Sequence, residues 1–218
     1  MFICETGREK AALLPKIEEL NAGACPVDWA KRCVEFACQE SCGISVMCRD
    51  GMAQLQEILE DITTGMGQDG DLDMLRDICS VISAYHDCEL SATAAGNVLY
   101  SLEHYADDWN QHCLRKRCAK MICKAYYNLY IDPAACTGCG ACRNCAPAGA
   151  VDGGEGMIHV IRNDSQLKTG EFEGYCPAGA IKKFGAGAVK PRVPRDPVPV
   201  GSFQTGRRRS RGIIRMES

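Results

Sequence analysis

Apolar residues recur at helical spacing through most of the first half of this chain, and that periodicity predicts a set of amphipathic helices. Residues 1–26 form a short lead-in with a weak helical pattern near Lys10–Leu20, stopped by Asn21 and Gly23. Pro26 opens the first strong helix, because its fixed φ suits the first helical position; the pattern runs through Trp29, Val34 and Phe36 to about Gln39. A second helix follows Cys48, with Met52, Leu55, Ile58, Leu59 and Ile62 on one face and Gly65 and Gly67 as its stop. Leu72, Leu75, Ile78 and Ile82 mark a third, and Ala95, Val98, Leu99, Leu102, Tyr105 and Trp109 a fourth. Acidic residues such as Glu57, Glu60 and Asp61 fall on the polar side, where water solvates them. The predicted product is a helical bundle with the loop Ser41–Cys48 at one end.

The pattern changes near residue 129. Leu129–Ile131 reads as a strand, followed by a cysteine-rich loop, a short helix and a β-hairpin, of which Met157–Ile161 is one strand. Ala146-Pro-Ala-Gly-Ala150-Val and Cys176-Pro-Ala-Gly-Ala180-Ile are nearly the same words, an internal repeat. From Gly185, Pro191, Pro194, Pro197 and Pro199 punctuate a basic segment that ends in Arg207-Arg208-Arg209-Ser-Arg211, and such proline density favours an extended backbone. An arm that wraps a partner subunit is favoured over a merely solvated tail. The expected class is therefore α+β, with a lead-in at 1–26, a helical block at 27–110, a linker at 111–128, a small α/β block at 129–184 and an extended tail at 185–218.

Composition sharpens this picture chiefly through cysteine, of which there are 16 in 218 residues. Met1 to Pro15 carry Glu and Lys where a secretory signal would be apolar, so the thiols are expected in a reducing cytoplasm, bound to metal rather than joined as cystines. No apolar run reaches membrane-spanning length. The net charge of −3 supplies no global field toward nucleic acid or membrane, and the terminal Arg cluster lacks interleaved aromatics. His-Glu-x-x-His, Gly-x-Ser-x-Gly and Walker patterns are missing, so no catalytic residue is assigned.

Cys136-Thr-Gly-Cys139-Gly-Ala-Cys142, followed at a distance by Cys176-Pro177, resembles the ligand loop of a bacterial ferredoxin, and the internal repeat supports that two-fold fold. In such folds the fourth Cys of one run ligates the cluster of the other, so Cys176 and not Cys145 completes the set with Cys136, Cys139 and Cys142. Counting back from Cys176 at the run's spacing meets Gln166, Thr169 and Phe172 where three further thiolates should stand. Phe has no ligand atom, and neutral oxygen donors suit a cubane poorly. One [4Fe-4S] cluster is expected here instead of two.

Glu40-Ser-Cys42-Gly-Ile-Ser45-Val-Met-Cys48-Arg-Asp-Gly51, an amphipathic helix and then Cys88 are similar to the iron–sulfur domain that ends the NADH-binding flavoprotein subunit of respiratory complex I. The same domain ends the flavin region of the NAD-linked subunits of electron-bifurcating hydrogenases and formate dehydrogenases, where a short linker and a ferredoxin domain follow. The resemblance covers about Val27 to Trp109 and implies a second [4Fe-4S] cluster on Cys42, Cys48 and Cys88, with Ser45 at the position of the family's middle cysteine. Three outcomes stay open at that position. Ser45 ligates; or Cys38, one helical turn before Cys42, swings in; or the site holds three irons or none. Only residues 1–26 precede the block, and Gly153-Gly-Glu-Gly156 and Gly185-Ala-Gly187 lack a strand–turn–helix setting, so neither FMN nor NAD is expected on this chain.

His112, Cys118 and Cys123 resemble the linker of the hydrogenase-type subunits, where zinc pins a hinge. Two thiolates and an imidazole suit Zn²⁺, which takes four N/S ligands in a closed site. Cys79 is the candidate fourth ligand and Cys113 the runner-up, against a plain reading of helix-packed cysteines. His86, His104 and His159 show no partner pattern and are expected at the surface or locally bonded; Cys4, Cys25, Cys33 and Cys145 stay unassigned. The function implied by the resemblance is an electron-transfer subunit, itself non-catalytic, of a multi-subunit oxidoreductase. It would sit between a flavoprotein handling NAD(P)H and a further redox subunit, in a setting that suits electron bifurcation. The competing expectations are a zinc-binding assembly protein without redox role and an oxidoreductase with its own unrecognised flavin site.

Overall fold

The computed structural model describes residues 5–16, 18–21, 23–84, 88–169 and 171–204; Met1–Cys4, His86 and the Arg207–Arg211 cluster lie outside the described residues. The fold is α+β, with eight helices and six short strands among the described residues. Two compact units are formed, one from residues up to Asn128 together with Phe184–Ala188, the other from Leu129–Lys183 together with residues from Val189 on.

The first unit is built from α1 (Glu5–Ala11), α2 (Glu18–Asn21), α3 (Pro26–Glu40), α4 (Met52–Thr64), α5 (Asp71–Ala84), α6 (Glu89–His104) and α7 (Ala106–Cys113). The expected lead-in helix over Lys10–Leu20 is two separate pieces, because Pro15 lies between them; it can donate no backbone hydrogen bond and disfavours helix in the residue before it. Helix α3 packs on α4 and α6, and α5 packs on α6. Their apolar faces meet in a core where Trp29, Val34, Leu55, Leu59, Ile62, Leu75, Leu90, Val98 and Trp109 are wholly buried. The helix expected to run from Ala95 to Trp109 breaks at Tyr105, whose φ of −126° and ψ of 35° are non-helical. The break turns Trp109 inward: its indole Nε1–H donates to Ser101 Oγ at 3.1 Å, and the Ser101 hydroxyl donates to Pro26 O at 3.1 Å. One buried hydroxyl thus ties α3, α6 and α7 together.

The second unit holds most of β1 (Tyr127–Ile131) and β5 (Ile181–Gly185), which pair with each other, and the helix α8 (Ala141–Cys145). Strand β2 (Val151–Asp152) pairs antiparallel with β4 (Val160–Ile161), with Val151 opposite Ile161. Strand β3 (Met157–Ile158) pairs antiparallel with β6 (Val198–Pro199), with Ile158 opposite Val198. The single strand expected over Met157–Ile161 is therefore two, because the chain changes partners at His159. Both copies of the internal repeat lead a buried alanine into a strand: Ala150 into β2 and Ala180 into β5.

The described part of the segment from Val189 does not trail away as the proline count suggests. Prolines leave the backbone extended, but Val198 and Val200 keep their N–H groups, and the Val200 N–H donates to Gly156 O at 3.0 Å. Arg162 fastens the same segment by donating to Arg195 O at 2.8 Å and to Asp196 at 2.9 Å, while its Nη2 also reaches Asp152 at 2.8 Å.

Candidate metal and cluster sites

Cys25, His112, Cys118 and Cys123 bring four ligand atoms within 4.8 Å of one another, all from buried residues. Cys25 directly precedes α3, a position where Ser, Thr, Asp or Asn usually caps a helix, yet it makes no side-chain cap bond. Its sulfur instead lies 3.4 Å from His112 Nε2 and 3.8 Å from Cys123 Sγ, and Cys123 Sγ lies 3.4 Å from the same nitrogen. His112 comes from the last turn of α7, and its Nδ1 stands 2.7 Å from Asp108 O. Donation from Nδ1 to that carbonyl fixes the tautomer and leaves the Nε2 lone pair for a metal. Cys118 and Cys123 hang on the following loop, where Lys116 and Met121 are both held at positive φ, 48° and 52°. Such conformations cost free energy in non-glycine residues and persist only where surroundings enforce them.

Electrostatics within this quartet follow from crowding three thiols and an imidazole in one place. Hydrogen bonds from Cys123 and then Cys25 hold the Cys118 thiol well below its ordinary range, so one thiolate is favoured there despite burial. Burial opposes a charge on His112, but the bonds to Cys118 and Cys25 prevail and raise it to about 10. Three sulfurs and one nitrogen, closed off from solvent, are the donor set of a tetrahedral structural ion. Cys25 is the fourth residue of the group, a place expected for Cys79. Cys79 is buried on α5 outside this group, its thiol pushed up to about 12 by burial alone, and the runner-up Cys113 is buried and raised to about 11.

In the helical block, Cys48 sits in a single π-helical turn, Met47–Gly51, that runs directly into α4. Cys48 Sγ lies 3.9 Å from Cys88 Sγ, at the residue that precedes α6. Burial alone would raise the Cys48 thiol, but the hydroxyls of Ser41 and Ser91, the Gly43 N–H and the Cys88 thiol act on its sulfur and hold it below the ordinary value. Cys38 is near enough that the Cys48 charge, added to burial, pushes its thiol up to about 11. The Ser45 hydroxyl accepts the Cys48 backbone N–H at 3.2 Å, and Cys42 is exposed on the loop. A thiolate-favouring sulfur, two hydroxyls directed at it and a second thiol beside it are features that suit a sulfide-rich cluster.

In the second unit the loop 136–142 is shaped by Gly138, whose φ is +74° and where an added Cβ would lie 2.8 Å from the Gly156 backbone. The Gly156 N–H donates to Gly138 O at 3.0 Å and closes the loop from the other side. Cys142 lies in the first turn of α8; burial, then the charges of Cys136, Cys176 and Cys139, push its thiol up to about 11. Cys136, Cys176 and Cys139 are thus each near enough to Cys142 for their charges to act on it, while Cys145 is exposed at the end of α8. Cys139 is fully exposed, and the Ala141 N–H and the Thr137 hydroxyl hold its thiol below the ordinary value. Cys176 Sγ accepts the Ala180 N–H at 3.3 Å. Of the three positions that would ligate a second cluster here, Phe172 is buried, and Gln166 is exposed beside the buried Leu167 in the chain. His159, expected at the surface or locally bonded, is 2% exposed, and its Nδ1 lies 3.9 Å from Cys136 Sγ.

Residues 28–112 match the family model described as the NADH-ubiquinone oxidoreductase-F iron-sulfur binding region. Among its relatives is the NADP-reducing hydrogenase subunit HndC of Solidesulfovibrio fructosivorans, 35% identical over 62% of this chain and 28% of that protein. The F subunit of the NADH-quinone oxidoreductase of Streptomyces coelicolor is 36% identical over 43% of this chain and 21% of its own length. The beta subunit of the NADP(+)-dependent formate dehydrogenase of Moorella thermoacetica is 37% identical over 31% of this chain and 10% of its own. The chain thus spans less than a third of the length of these curated relatives. Among the described residues no helix is long and apolar enough to cross a membrane.

Proposed function

We propose that this chain is an iron–sulfur electron-transfer element of a multi-subunit, NAD(P)H- and flavin-linked oxidoreductase. One observation carries the proposal: a match to the NADH-ubiquinone oxidoreductase-F iron-sulfur binding region is followed, in the same chain, by four cysteines in a ferredoxin-type spacing, three of which act electrostatically on the fourth. Cys136, Cys139, Cys142 and Cys176 would hold one [4Fe-4S] cluster. Cys42, Cys48 and Cys88 would hold another, with Ser45 or Cys38 as the fourth ligand. When bound, such clusters take up and release single electrons, with potentials set by burial and by hydrogen bonds to sulfur. The chain's own contribution is to keep Cys48 and Cys142 buried, to present Cys139 near the surface and to fix the ligand loop through Gly138 and Gly156. The partners would be a flavoprotein handling NAD(P)H and a further redox subunit, in a cytoplasmic complex of a kind suited to electron bifurcation. The names of the relatives, and a cysteine complement in which no two described residues form a disulfide, support that assignment.

The domain scheme is a helical [4Fe-4S] block followed by a ferredoxin-like block, with zinc on Cys25, His112, Cys118 and Cys123 at the linker. Anaerobic purification followed by metal analysis tests the whole proposal. About eight iron and eight sulfide per chain are expected for two cubanes, with one zinc. The compact quartet favours a second reading for that site's metal alone, in which zinc is the only inorganic constituent and the chain serves assembly. Colourless protein carrying zinc and no iron would establish that reading and end the first.

A further inference from the structure

His159 stands between β3 and β4, where the chain leaves one partner strand for another. Its Nδ1 is 3.9 Å from Cys136 Sγ, and its Nε2 is buried with no hydrogen-bond partner. These two facts locate the ring proton once Cys136 is a ligand. A metal-bound thiolate has no hydrogen to give, so the contact is favourable only when Nδ1 carries the proton. Nε2 is then a bare lone pair, not an unpaired donor.

We propose that His159 is a positioning residue for the cluster of the second unit, donating Nδ1–H to the Cys136 sulfur and so raising that cluster's reduction potential. The inference rests on the ligand set Cys136, Cys139, Cys142 and Cys176 proposed above. A donor to sulfur withdraws electron density and stabilises the reduced, more negative cluster more than the oxidised one. The ring is enclosed, His159 being 2% exposed. Its placement is enforced by Gly153: an added Cβ there would lie 2.8 Å from His159 Cδ2 and 3.0 Å from Cγ, and φ is +138°. Gly153 covers the Cγ–Cδ2 edge of the ring, which leaves the Nδ1 edge to Cys136. Arg143, on the same short helix as Cys142, donates to Gly153 O at 2.9 Å and pins the floor on which the ring rests.

The test is a redox titration of the full chain, followed by EPR, on wild type and three variants of matched iron content. In His159→Phe the ratio of reduced to oxidised cluster at a fixed ambient potential should fall roughly tenfold, a negative shift of about 59 mV for a one-electron couple. His159→Asn returns an amide N–H near the lost Nδ1 and should recover most of the shift. Gly153→Ala, which displaces the ring, should move toward the Phe value. An unchanged potential in His159→Phe at full iron content would overturn the role of His159 while leaving the ligand assignment intact. Wild-type protein with no iron on those four cysteines would overturn both. Should His159→Phe fail to load iron, pulsed EPR of ¹⁵N-histidine-labelled wild type decides. A nitrogen coupling that is missing from His159→Asn is expected, and no such coupling would reject the hydrogen bond.

Discussion

Cys25 spends its side chain on His112 and Cys123 instead of capping α3, so the start of that helix and the metal quartet share one residue. Cys25→Ser should therefore lower zinc retention by at least about tenfold, the loss typical even of outer-shell partners. Cys79→Ser should leave zinc content unchanged; metal analysis after gel filtration reads both. In the second unit, Cys139→Ala should abolish the EPR signal of its cluster and Cys145→Ala should leave it, and equal loss in both would break the ligand assignment. His112, Cys118 and Cys123 are legible in the sequence because they lie close together along the chain. Cys25 is not, since 87 positions separate it from His112 and only the packing of α7 against α3 joins them. The one local signal was a cysteine where a capping oxygen is usual, directly before Pro26. His159 gave a similar faint signal, as one polar residue inside the apolar run Met157–Ile161.

At the scale of elements, apolar periodicity marked α3, α4, α5 and α6 because each buries one continuous face. It could not show the break at Tyr105, since Trp109 stays in phase with the core on either side of it. Ser101 is the polar residue that makes this break stable. Ser101→Ala should destabilise the metal-loaded protein by about 1–3 kcal/mol in denaturant titrations, because Trp109 Nε1 loses its buried partner. Partner exchange at His159 was equally hidden, because period-two alternation specifies faces and not neighbours. The segment 189–200 depends on Arg162. Its hydrogen bonds hold the Asp152 carboxyl below the ordinary carboxylate value, so the Asp152 tie is complete above about pH 4 and is lost as pH falls through that depressed value. Arg162→Gln at neutral pH should expose the Val200 amide to exchange as acid does in the wild type, which hydrogen-exchange mass spectrometry can follow.

For the whole molecule, the matched region at residues 28–112 lies within the first unit, and Cys136, Cys139, Cys142 and Cys176 lie within the second. The ferredoxin-type spacing was readable because cluster ligands crowd into one short loop. The converging of Cys176 on that loop depends on the second repeat, whose Ala180 N–H reaches back to the Cys176 sulfur. The left-handed residues Lys116 and Met121 have a practical outcome for the intact protein. A backbone wound against its preference, at roughly 1–2 kcal/mol per residue, should uncoil when the proposed zinc is taken away. Arg115, Lys116, Arg117 and Lys120 are exposed along that stretch, so a zinc chelator should turn it into the first place trypsin cuts.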